Sequence, residues 1–77
     1  MPATVHSKKY AQLRARLIEA RKSAGLTQVD LAGVLKRHQS FVSKYENGER
    51  RIDPIELIEI ARAIGFDPAD LIRDLDG

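Results

Sequence analysis

The sequence predicts an all-α domain, a compact bundle of five helices. Three observations carry this reading. Apolar residues recur at steps of three and four along most of the chain. Gly and Pro cut the chain into segments of helical length. Thr or Asp stands where three of the later segments begin. No stretch shows the two-residue alternation of a half-buried strand. With 77 residues the chain makes one domain at most.

The elements follow in order. Residues 1–7 lack periodicity and read as a flexible N-terminal arm, leaving residues 8–77 as the folded domain. Helix one is expected from about Lys8 to Ala24, with Tyr10, Leu13, Leu17, Ala20 and Ala24 as its apolar stripe. Lys9, Arg14, Arg16 and Lys22 fall off that stripe. Gly25 ends the helix, because glycine tolerates the left-handed cap conformation. Thr27 opens helix two as an N-cap, with Asp30 completing a capping-box pattern. Leu31, Ala32 and Leu35 supply its buried side. Gly33 within it costs up to about 1 kcal/mol against Ala, and a need for close helix packing would explain it.

Lys36-Arg37-His38 is a polar break. Helix three follows from Gln39 to Glu46 or Asn47. Phe41, Val42 and Tyr45 face one way; Gln39, Ser40, Ser43, Lys44 and Asn47 face the other. Asn47-Gly48 closes it, and Glu49-Arg50-Arg51 forms an exposed basic loop. Asp53-Pro54, with Glu56 at the third position, starts helix four, Pro54 to Ile64. Its apolar arc is Leu57, Ile58, Ile60, Ala61 and Ile64. Glu56, Glu59 and Arg62 mark the wet side, where Ile55 is out of place. Gly65 caps the end. Asp67-Pro68 repeats the start signal for helix five, which runs to about Leu75 with Leu71, Ile72 and Leu75 apolar.

Composition narrows the function. The net charge of +2 is split: residues 1–51 hold eleven Lys/Arg against four Asp/Glu, and residues 52–77 hold two against seven. One basic and one acidic part give the domain an oriented field, suited to a polyanion at the basic part. Two ordinary solvated faces would look the same by charge alone. There is no cysteine, so no disulfide or thiolate metal site is available. No apolar run approaches the ~18 residues of a membrane span, and the first residues do not form a signal peptide. A cytoplasmic protein without membrane attachment is expected. An enzyme is disfavoured by inventory: two distant histidines, no Gly-rich phosphate loop and no spaced metal ligands. No cofactor is expected. His38 has only His6 of the arm as a histidine partner, so a metal role is not expected either.

The informative segment is Leu26 to Gly48, two short helices joined by a tight polar turn. The second exposes amide, hydroxyl and ammonium groups, and a helix so furnished can enter the DNA major groove and bond base edges. A merely wet helix face is the plain alternative. The residues Arg21-Lys22, Gly25-Leu26-Thr27-Gln28, Leu31-Ala32 and the run Gln39 to Arg50 decide between them. Together they resemble the lambda-repressor-like, Cro-type helix-turn-helix family, also called the xenobiotic-response-element type. The resemblance covers about residues 10 to 75. It implies a five-helix lambda-repressor-like domain, with helices two and three as the helix-turn-helix, that binds double-stranded operator DNA and regulates transcription.

The resemblance also assigns roles. Gln39, Ser40, Ser43 and Lys44 fall on or beside the base-reading positions. Thr27 and Gln28 fall where the family holds a phosphate at the start of helix two, and Gln28 braces the recognition helix. Asn47 and Gly48 fall on a second phosphate grip. Arg37, His38, Arg50 and Arg51 add cationic or polar groups beside the groove and are expected at phosphates, with a weak helix cap or a base contact as the other roles open to His38. Arg21 and Glu46 match a recurrent ion pair between helices one and three. The turn departs from the family pattern: Lys36, Arg37 and His38 stand where a Gly, an apolar residue and a Ser or Thr cap are usual. A left-handed residue there costs more as Lys than as Gly.

A homodimer on a palindromic operator is expected, acting as a repressor, with Ile55, Leu71, Ile72 and Leu75 as its interface. The competing expectations are an antitoxin-type module that also binds a partner protein, and a controller of restriction–modification expression.

Overall fold

The computed structural model describes residues 7–76. Residues 1–6 of the expected arm, including His6, and Gly77 lie outside the described residues. Five helices follow one another: α1 (Lys8–Ser23), α2 (Gln28–Leu35), α3 (Gln39–Glu46), α4 (Pro54–Ile64) and α5 (Pro68–Asp76). No strand occurs among the described residues.

Local chemistry sets each boundary. Ser7, read with the arm, is the N-cap of α1, its side chain accepting the Tyr10 N–H at 3.1 Å. Thr27 and Asp30 complete the capping box of α2: Thr27 N–H donates to the Asp30 carboxylate and Asp30 N–H to the Thr27 hydroxyl, both at 3.0 Å. The bond from the Thr27 N–H, with the Thr27 hydroxyl as a second donor, holds the Asp30 carboxyl below its ordinary pKa. Asp53 and Glu56 close the same box on α4. Gly25, Gly48 and Gly65 take positive φ at the ends of α1, α3 and α4. The end of α2 needs the same conformation but carries Lys36 at φ 57°, the lone non-glycine residue with positive φ among those described. Its neighbours still satisfy the closing bonds, Arg37 N–H donating to the Ala32 carbonyl at 3.0 Å.

The core is built from Leu17, Leu31, Ala32, Phe41, Val42, Tyr45, Leu57, Ile60 and Leu71. Helix α2 packs chiefly on α3 and α4, and α1 on α3 and α5, so α3 lies on α1 and α2. Tyr45 is fully buried, edge-on to Phe41, and that burial pushes its phenol well above the usual pKa. Tyr10 reaches from α1 to the loop before α4, its hydroxyl accepting the Ile52 N–H at 3.0 Å.

Several expected positions change. The α1 stripe does not continue to Ala24, which is exposed; Arg21, four residues past Leu17, turns inward instead. On α4 the inward face is Leu57, Ile60 and Ala61, and Glu56, one turn before Ile60, shares it. Ile58 is rotated off that face and joins Ile55 as an exposed apolar residue. Gly33 is not a packing site: a Cβ there would meet nothing within 4 Å. Leu71 belongs to the core at 6% exposure, which removes it from the expected dimer face. Leu75 packs against the core edge. Ile55 and Ile72 remain outside, at 64% and 54% exposed.

Candidate nucleic-acid interface

The interface is built on α3. His38 caps it: the Ser40 N–H donates to His38 Nδ1 at 3.1 Å. The Ser40 hydroxyl lies 2.9 Å from the same nitrogen. Histidine thus does the work of the usual Ser or Thr cap. Phe41, Val42 and Tyr45 anchor the inner side, while Gln39 and Lys44 are exposed and Ser40 and Ser43 half-buried. The Ser43 hydroxyl donates back to the Ser40 carbonyl at 3.3 Å.

Beneath this face runs a connected set of polar groups. Arg21 and Glu46 form a two-pronged ion pair, Nε to Oε2 at 2.8 Å and Nη2 to Oε1 at 3.1 Å. Both residues are buried, at 8% and 6% exposure. The carboxylate bonds raise the Arg21 pKa above its ordinary value, so the guanidinium stays charged. Arg21 also donates to the Leu26 carbonyl at 2.8 Å, tying in the loop before α2. Gln28 Nε2 donates to Glu46 Oε1 at 2.9 Å, and Gln39 Nε2 donates to Gln28 Oε1 at 3.2 Å. A continuous line of hydrogen bonds therefore leads from α1, through the end of α3 and the start of α2, to the amide of Gln39.

Arg14, read from sequence as an off-stripe cation, is half-buried under the end of α3 and donates to the Glu46 carbonyl at 3.3 Å. A Cβ at Gly48, where φ is +80°, would come within 3.1 Å of its guanidinium. Gly48 is favoured by this conformation, and a Cβ there would also make the Arg14 guanidinium give by a few tenths of an ångström. No spacing in the sequence marks Arg14 for this place.

The cations flanking α3 are less open than expected. Arg50 makes a bidentate pair with Glu56, at 2.9 and 2.7 Å. Arg37 lies 3.6 Å from the same carboxylate and 3.4 Å from Glu59. Both guanidinium groups stack on the Phe41 ring, 4.4 Å and 4.7 Å from its centroid. Arg51 lies over the Tyr10 ring at 5.6 Å. Asn47 is exposed, its amide 3.5 Å from Glu49. Glu56 is 7% exposed, so its reading as a wet-side acid is corrected. The bond from Arg50, then that from the Asp53 N–H, lowers its pKa to about 2. The Asp53-x-x-Glu56 cap pattern was visible in sequence; its pairing with Arg50 six residues upstream was not.

A tight helix-turn-helix presenting a polar second helix defines a DNA-binding domain of regulator type. Residues 17–71 match the family model described as Helix-turn-helix, and the chain belongs to that family. It is also similar to a solved structure titled XRE-family like protein, from Pseudomonas syringae pv. tomato str. DC3000. The two share 50% sequence identity and superpose with a TM-score of 0.89, over 94% of this chain and 88% of the other. No curated protein matches the chain. No helix among the described residues is long and apolar enough to cross a membrane.

Proposed function

We propose that the protein is a cytoplasmic transcriptional repressor that inserts α3 into the major groove of a palindromic operator as a homodimer. The observation that carries this reading is the exposed polar edge of α3 braced from below by the Arg21–Glu46–Gln28–Gln39 chain. A side chain held in one orientation before binding loses less freedom on contact with a base. Gln39 is the principal reader, since an amide bridges adenine N6 and N7; Lys44 suits guanine O6 or N7, and Ser40 and Ser43 add hydroxyls. Backbone phosphates fall to the start of α2 and the end of α3. The α2 capping box occupies the N–H groups of Thr27 and Asp30, so a phosphate there meets the first-turn N–H groups of Gln28 and Val29. Asn47 and the Gly48 backbone form the second grip.

Selection of bound duplexes from a random pool tests the reading. A two-fold symmetric consensus and affinity that falls with salt, by about 0.9 in log–log slope per phosphate neutralised, are expected. Failure to enrich any sequence would overturn it. On the selected site, Gln39→Ala should cost about 1–3 kcal/mol and relax one base position. Asn47→Ala should weaken selected and unrelated duplexes alike. An identical, uniform loss from both changes would remove Gln39 from the base readers.

A further inference from the structure

Arg37 and Arg50 stand at the two ends of α3, one before its cap and one just past Gly48. Cations in those places would be expected to strengthen contact with any duplex, whatever its sequence. Their geometry is different. Both lie on the Phe41 ring and both converge on Glu56 of α4. The carboxylate is nearly out of solvent and takes both Nη groups of Arg50. Asp53 N–H donates to Glu56 Oε1 at 3.0 Å and Glu56 N–H donates to Asp53 Oδ1 at 2.8 Å, which fixes Glu56 from its own backbone side.

A carboxylate and a phosphate are alternative partners for the same guanidinium fork. An arginine already matched inside the protein condenses little anion from solution, and it must break an internal bond to meet a phosphate. It therefore adds little to the counterion release that drives sequence-independent binding. We propose that Glu56 is a specificity-determining residue: it withholds Arg50 and Arg37 from the DNA backbone and so lowers affinity for unrelated sequence while leaving the Gln39–Lys44 edge untouched. The inference rests on the DNA-binding reading above. Glu59, on the exposed side of Arg37, adds a weaker share of the same effect.

Anisotropy titrations of the full chain on two labelled duplexes, the selected site and a random-sequence control, across a salt series, test it. Glu56→Gln keeps an acceptor for the Asp53 N–H and removes the charge. On the random duplex its log–log salt slope should steepen by about 0.9 for each arginine released, up to about 1.8. Its preference for the selected site should fall. Adding Arg50→Gln to that variant should return about half of the steepening. Glu59→Gln, which leaves the α4 cap intact, should steepen the slope by less than about 0.9, and this arm decides the matter if Glu56→Gln does not fold. An unchanged or shallower slope in the folded variants would overturn the proposal while leaving wild-type DNA binding in place. A wild type that binds neither duplex would instead overturn the DNA-binding reading, and the proposal with it.

Discussion

Single residues carry much of this domain's cost and much of its purpose. Lys36 occupies a left-handed position at φ 57°, which costs a residue with a Cβ about 1–2 kcal/mol. Its side chain is exposed. Lys36→Gly should therefore stabilise the protein by roughly 1 kcal/mol despite the larger entropy of the unfolded glycine chain. Urea unfolding measures this, and a destabilised variant would mean that the lysine side chain makes a compensating contact. The turn was legible as a departure from its family pattern. The helix cap held open for His38 is the one that forms, with Nδ1 accepting the Ser40 N–H.

Between elements, buried charge matters most. Glu46 ties the end of α3 to α1 and α2 with three side-chain hydrogen bonds. Removing it leaves Arg21 charged, buried and half-partnered, a loss of about 3–5 kcal/mol. In a domain this size each 1 kcal/mol shifts Tm by about 4–8 °C, so thermal melting of Glu46→Ala should show a fall of well over 10 °C or no folded state at all. An unchanged Tm would mean that the buried pair adds nothing net to stability. Glu56 gives a different signature. Its pKa falls from the usual 4.5 to about 2 in the folded chain, so its contribution is complete above pH about 4.5 and is lost as pH falls toward 2. Stability followed by urea unfolding should decline through that window, and Glu56→Gln should flatten the decline. The helices themselves were readable because caps, Gly and Pro are local signals. The inward turns of Arg21 and Glu56 were harder, because helical periodicity sorts residues by polarity and a paired charge breaks that sorting. For Arg21 and Glu46 the family resemblance supplied what periodicity lacked. For Arg14 and the Arg50–Glu56 pair nothing local did.

For the whole molecule the open question is self-association. Ile72 lies with Tyr10, Leu13 and Leu75 along a shallow apolar groove of about 310 Å³ between α1 and α5. Ile55 and Ile58 stand exposed on α4. A two-fold contact covering such residues would set two recognition helices about 34 Å apart, one turn of DNA. Ile72→Asp should then halve the solution mass at micromolar concentration, with helical content unchanged by circular dichroism, and weaken binding to a two-half-site operator. A wild type that is already monomeric would reject the dimer. Leu71 no longer belongs in that test, since its side chain is spent on the protein's own core. The sequence could place an apolar residue on α5 but could not say which neighbour it meets, because that depends on how α1 and α5 cross.

The hydrogen bond from Gln39 to Gln28 has a consequence for redirecting this domain to new targets. A replacement at position 39 inherits a neighbour tuned to an amide, and a residue that cannot answer Gln28 loses its own brace and leaves the Gln28 side-chain oxygen without this partner. With Gln39 as the proposed base reader, the two positions would form one letter of the recognition code, written across two helices. A library varied at 28 and 39 together should yield tight binders to more base changes than one varied at 39 alone. Transplanting α3 by itself into a relative should move less of the preference than transplanting both residues.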